Sequence, residues 1–112
     1  DFAAAQSAAQ RFAAAGVAVR DRQANPPADA AALNHALRNA EQALLNPDGL
    51  PKRPWYKHTI YAPGEYTGYA AVVIPGVNEA IEATDAARAQ SQLAALAEAL
   101  NRSAAILETA AK

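Results

Sequence analysis

Two histidines, eleven carboxylates and no cysteine bound the chemistry open to this 112-residue chain. Without thiols there is no disulfide framework, no thiolate zinc and no thiol catalysis. His35 and His58 lie in different elements, and no His-x-x-x-His pair exists. A zinc site needs three or four convergent ligands, and the spacing assembles none. His35 is offset from the Leu33/Leu37 stripe and reads as part of a solvated helix face. His58 follows Lys57 in a loop, where its expected role is a hydrogen bond that pins the loop. Glu79 and Glu82 stand three apart on a short helical stretch. Paired acid–base work needs a cleft and shifted pKa values, so a solvated face is the expectation there. Ser7, Ser91 and Ser103 fall in Ala-rich helical stretches with no base nearby, which argues against a nucleophile. Gly64, Gly68 and Gly76 lack the spacing and the preceding strand of a phosphate loop.

The remaining cluster is Lys52, Arg53 and Lys57, locally basic against the single Glu65 and interleaved with aromatics. Basic residues beside aromatics can mark single-stranded nucleic-acid binding. Three cations without a platform motif are a weak signal, and the net charge of −1 gives no electrostatic case for nucleic acid or an anionic membrane. The better reading is a loop that offers Tyr hydroxyls and cations to an anionic group or to a neighbouring domain. The bland alternative is that its aromatics supply large side chains which the helices lack.

That lack is real, because 33 of the 112 residues are Ala while Phe and Trp together number three. Alanine is the best helix former but buries little area per residue. Closely packed helices with a thin core are expected, stable only marginally unless another surface covers them. The length fits one domain, and no run approaches the ~20 apolar residues of a membrane span. The first residues, Asp1-Phe2-Ala3-Ala4, carry no basic n-region and do not read as a signal peptide. They read as a cut just upstream of a helix, so a piece of something longer is expected. The alanine content suggests a GC-rich bacterial source.

A first helix is expected from about residue 2 to about residue 24, with Phe2, Ala5, Ala9, Phe12 and Gly16 or Val17 as its stripe. Asn25-Pro26-Pro27 ends it. A second starts near residue 28 or 29, carries Leu33, Ala36, Leu37, Ala40 and Leu44 on one face, and stops at Asn46-Pro47-Asp48-Gly49. Pro75 to Ile81 opens a short helix. Thr84 is the expected N-cap of a long one from residue 85 onward, with Leu93, Leu96, Leu100, Ala104, Leu107 and Ala111 as its seam. Glu98 and Arg102 make an i,i+4 pair on another face. The fold class is therefore all-α, a small bundle of about four helices. Between the second and third helices lies a long loop, residues 47–75, holding five of the seven aromatics and five of the seven prolines. Disordered segments are poor in aromatics, so the loop is expected to be ordered, and function should sit there.

Within it, the run Gly49-Leu50-Pro51-Lys52-Arg53-Pro54-Trp55-Tyr56-Lys57-His58-Thr59-Ile60-Tyr61-Ala62-Pro63, followed by Tyr69-Ala70 and Pro75-Gly76, resembles the transferrin receptor-like dimerisation domain. That is the C-terminal helical domain of glutamate carboxypeptidase and prostate-specific membrane antigen-type zinc peptidases, and of transferrin receptor. The similarity covers about residues 33–82, and the flanking helices match in length and position only. The resemblance implies an all-α domain that holds two subunits of a larger peptidase together. Zinc is implied only in a separate peptidase domain, so this chain needs no cofactor, binds no metal and is not an enzyme by itself. In the family a Lys-Tyr pair of this loop contacts the substrate's C-terminal glutamate. Aligned on Ile60-Tyr61-Ala62-Pro63, the Tyr falls at Tyr69, while the Lys position holds Gly68 and supplies no cation. His58, Tyr61 and Arg53 are candidates for loop pinning or secondary contacts.

The implied partners are a second copy and the peptidase domain of the same parent. The isolated domain is expected to be a symmetric homodimer at micromolar concentration, with an isologous interface. A receptor-like binding domain without peptidase activity is the alternative.

Overall fold

Prolines and one left-handed turn decide where the helices stop. The computed structural model describes residues 1–65 and 69–112. Helix α1 spans Ala3–Ala24 and α2 spans Ala31–Gln42. After the long loop come α3, Pro75–Glu82, and α4, Ala86–Ala111. Four helices were expected and four are present among the described residues, but the loop is not free of strands. Tyr61–Pro63 (β1) and Ala71–Val73 (β2) pair antiparallel, with Ala62 opposite Val72. The β-branched run Val72-Val73-Ile74 suits a pleated strand better than a coil.

Helix α2 begins later than the sequence suggested, at Ala31, because Asp29 Oδ1 accepts from the Ala31 amide and holds residues 29–30 in a turn. It also ends earlier. Leu44 and Leu45 donate three residues back, to Glu41 and Gln42, which tightens the exit. The α3–α4 junction corrects a second expectation. Thr84 adopts φ 56°; its amide donates to Ile81 O and that of Asp85 to Ala80 O, a Schellman end for α3. Thr84 is thus spent closing α3, and Asp85 caps α4 instead, accepting from Arg88 N at 3.0 Å.

Helix α4 is the spine against which α1, α2 and α3 each pack. Its seam is as expected at Leu93, Leu96, Leu100, Ala104 and Leu107, all buried. One cluster joins Ala15, Val19, Leu33, Ala104 and Leu107, and another joins Ala8, Leu44, Leu96 and Leu100. Rising numbers in α1 meet rising numbers in α4, so those two run parallel, while α2 runs antiparallel to both. The face that α1 buries meets the expected one at Ala5 and Phe12 and departs from it elsewhere. Ala8, Phe12, Ala15 and Val19 turn inward, whereas Phe2 and Val17 are more exposed than not or nearly so. In an alanine-rich helix several faces are about equally apolar, and the contacts of α4 choose among them.

Polar bonds tie the helices. Ser103 Oγ donates to Ala40 O at 2.7 Å in the buried α2–α4 seam. Arg102 does not pair with Glu98; it donates to Ala43 O and Leu45 O, carbonyls that the end of α2 leaves open. Arg11 and Glu108 form a two-pronged ion pair between α1 and α4, with both bonds at 2.8 Å.

The domain exposes 6828 Å². A compact monomer of 11.6 kDa is expected to expose about 5,800 Å². The radius of gyration is 15.6 Å, against about 13 Å for a compact chain of this length. This elongated body leaves about 1,000 Å² more surface in water than its mass requires. No described helix is long and apolar enough to cross a membrane.

Candidate functional site

The site is built where the loop returns on itself at the N-terminal half of α4. Its first turn needs glycine. Gly49 sits at φ 74°, and a Cβ there would lie 2.3 Å from Pro54 O. Asn46 O accepts from Gly49 N, and Leu50 N donates to Tyr56 O, so the Gly-Leu-Pro-Lys-Arg-Pro run closes into a tight irregular hairpin. Leu50 is buried beneath it.

Arg53 is also buried, at 6% exposure, and so is Glu79 at 6%. Arg53 donates one Nη to Pro63 O and the other to Glu79 Oε2. Glu79 Oε1 accepts the Glu65 amide at 3.1 Å. One carboxylate from α3 therefore joins the loop hairpin to the far end of β1. Glu65 lies 3.4 Å from Lys52 and 3.6 Å from Arg88 of α4. Two expectations are corrected here. Glu79 is no solvated face, and two of the three loop cations are engaged, because Arg53 faces Glu79 and Lys52 faces Glu65. A buried guanidinium would carry a large desolvation penalty unless a carboxylate met it.

His58 is fixed at three points. Its Nδ1 accepts from Ile60 N at 3.2 Å, which leaves Nε2 as the N–H that donates to Glu41 Oε1 at 2.9 Å. Its ring stacks on Tyr61 at 4.2 Å. Thr59 donates its hydroxyl to Leu44 O at 2.7 Å. These contacts bind the loop to the end of α2. With both ring nitrogens of His58 engaged and His35 exposed on α2, the histidines make no donor set for zinc. Among the described residues no three His, Asp or Glu side chains converge as a metal-binding group.

The loop aromatics among the described residues do not fill the core. Trp55 is 69% exposed, Tyr61 54% and Tyr69 100%. Tyr56 lies at the margin, with its ring 5.8 Å from the Arg53 guanidinium. The hairpin is thus anchored from below by ions and hydrogen bonds and presents aromatic side chains outward. Tyr66 and Gly68 lie outside the described residues. Sequence reasoning missed the Arg53–Glu79 pair. Its only signal was one acid in an otherwise apolar face, Val77, Ala80 and Glu79, at the start of α3.

At the opposite end of the bundle, α2 and the C-terminal part of α4 enclose a second feature, a groove of about 680 Å³. Ala32, Ala36, Ala105, Ile106 and Ala110 line it, with Arg22 and Asp29 among its polar members.

Comparison with known proteins adds the family. The model of the transferrin receptor-like dimerisation domain matches residues 1–108. A protein of Arabidopsis thaliana named probable glutamate carboxypeptidase is 52% identical over 50 residues, 45% of this chain and 7% of that protein. One of the same name from Arthroderma benhamiae is 36% identical over 77 residues, 69% of this chain and 11% of its own length. A third, from Zea mays, is 41% identical over 49 residues, 44% of this chain and 7% of that protein. The chain spans only about a tenth of the length of these relatives. They are plant and fungal, and give no support to a bacterial source.

Proposed function

Because the chain belongs to the transferrin receptor-like dimerisation domain family, we propose that it is the self-association module of a glutamate carboxypeptidase-like zinc peptidase, and that its aromatic loop completes the parent's substrate pocket. The observation that carries the reading is Tyr69, fully exposed in the same loop as the hairpin fastened by the Arg53–Glu79 pair. A tyrosine that packs against nothing contributes no burial to the fold, and the backbone next to it is tied by the Gly64 amide, which donates to Ala70 O. Its phenol can donate one hydrogen bond to a carboxylate. Trp55 and Tyr61 of the same loop are exposed too, amphipathic surface suited to cover by the peptidase domain. The chain itself supplies neither metal nor nucleophile to this reading; catalysis belongs to the parent.

The test uses the full-length parent. Tyr69→Phe should weaken binding of substrates with an anionic C-terminal residue by roughly ten- to a hundredfold, the worth of a charge-assisted bond of ~1.5–3 kcal/mol. Steady-state kinetics on Glu- and Ala-terminated dipeptides read it. An unchanged KM rejects the substrate contact. Removal of residues 1–112 should turn a dimeric parent into a monomer. Gly68 in place of the family's Lys favours the second reading, a receptor-like member. Zinc analysis of the full-length protein separates the two, since a receptor-like parent retains none.

A further inference from the structure

We propose that Arg88 of α4 is a positioning residue: it holds Glu65, and through Glu65 the outer end of the β1–β2 ribbon, next to which Tyr69 stands. The consequence for substrate rests on the reading of Tyr69 above; the anchoring of the ribbon does not.

The ribbon cannot hold itself. Its strands are three residues each, with Ala62 the one buried residue in them, and a lone two-stranded ribbon is marginal in water. At the inner end Ile74 N donates to Ile60 O. At the outer end the Gly64 amide donates to Ala70 O, so the pairing runs to the neighbours of Glu65 and Tyr69. That end is fastened to the bundle by charged groups. Pro63 O accepts from Arg53, and the Glu65 amide donates to Glu79 Oε1 at 3.1 Å. The Glu65 carboxylate meets Lys52 at 3.4 Å and Arg88 at 3.6 Å.

Of these two cations Arg88 decides. The Lys52 side chain is 66% exposed, and an ion pair in water contributes little. The Arg88 side chain is 13% exposed and that of Glu65 10%. The same Arg88 Nη2 lies 3.9 Å from Glu79 Oε2. One nitrogen therefore serves two buried carboxylates, which would otherwise raise each other's cost of ionisation. Its backbone is fixed in the first turn of α4, where Asp85 Oδ1 accepts from Arg88 N. At 3.6 and 3.9 Å the attraction is one of charge rather than of directed hydrogen bonds. A lysine can supply it. Arg53, which directs its two Nη atoms to different acceptors, has no such substitute.

Hydrogen exchange and steady-state kinetics of the full-length parent test this. In Arg88→Gln, peptides covering residues 58–65 should exchange roughly tenfold faster, while peptides of the α4 seam from Leu93 to Leu107 keep their rates. Arg88→Lys should restore most of the protection, and Lys52→Gln should leave it unchanged. On Glu-terminated dipeptides Arg88→Gln should raise KM roughly tenfold with kcat within about twofold, and should add little in a Tyr69→Phe background. If circular dichroism shows Arg88→Gln unfolded, Glu65→Gln takes its place, since it removes the same attraction and keeps the size of the side chain. Unchanged exchange in residues 58–65 overturns the proposal. Acceleration spread evenly over the domain, failure of lysine to restore protection, or equal acceleration in Lys52→Gln overturns it as well. If exchange responds as expected and Tyr69→Phe leaves KM unaltered, the substrate contact of Tyr69 falls and the anchoring by Arg88 stands.

Discussion

Glu79→Ala is the substitution whose cost the structure predicts most directly. The carboxylate is 6% exposed; it accepts from Arg53 Nη2 with one oxygen and from the Glu65 amide with the other. Its removal leaves Arg53 buried with Pro63 O as its remaining acceptor, and Arg53 Nε has none among the described residues. Breaking a buried pair from one side typically costs ~3–5 kcal/mol. A chain of 112 residues is expected to be stable by about 6–17 kcal/mol in all, so one carboxylate accounts for a large share. Urea unfolding followed by circular dichroism should show the midpoint fall sharply with the slope unchanged. Amide exchange at Glu65 should accelerate beyond the global effect. Arg53→Met should cost a similar amount. The double variant Arg53→Met/Glu79→Leu should recover most of the loss, because no charge is then left stranded. A Glu79→Ala midpoint within error of the unaltered chain would refute the reasoning, as would simple additivity in the double variant.

Other outcomes follow from single residues. Gly49→Ala should destabilise the domain by more than ~1 kcal/mol, since the residue would need both a left-handed backbone and space held by Pro54 O; thermal unfolding checks it. Thr84→Gly should stabilise by about 1 kcal/mol, because a β-branched residue occupies the left-handed C′ position of α3. The Arg11 hydrogen bond holds the Glu108 carboxyl below its ordinary pKa. The stability it contributes is present above the unfolded value and is lost as pH falls through the lower folded one. The melting-temperature gap between the unaltered chain and Glu108→Gln should therefore close on acidification and narrow in high salt. Tyr69→Ala should leave the melting temperature unchanged, since the side chain is fully exposed; a clear drop would mean that Tyr69 packs the loop. In the full-length parent, Gly68→Lys should raise the preference for Glu-terminated over Ala-terminated dipeptides.

Legibility in the sequence followed chemical contrast. Asn25-Pro26-Pro27 and Pro47 to Gly49 punctuate the chain strongly, so the number and order of helices could be read. Leucines spaced three and four apart defined the α4 seam. In α1 the same reasoning found Ala5 and Phe12 but missed Ala8, Ala15 and Val19, because alanine lies nearly all round it and periodicity has little to measure. Thr84 and Asp85 are both good caps, and only the left-handed turn that ends α3 decides between them. The family run was legible because residues 49–63 are dense in distinctive types. The partners of those residues were not. Arg53 meets Glu79 across 26 positions, and a pairing at that separation depends on how α3 docks on α4. Whether the loop aromatics face inward or outward was likewise beyond composition, since an Ala-rich core could have used them.

Self-association is the property on which the proposed function of this domain stands. Sedimentation equilibrium of the unaltered chain over a dilution series through the micromolar range tests it most directly. A self-associating domain has a mass of twice 11.6 kDa that falls toward a single chain on dilution. A mass of 11.6 kDa at every concentration would contradict it.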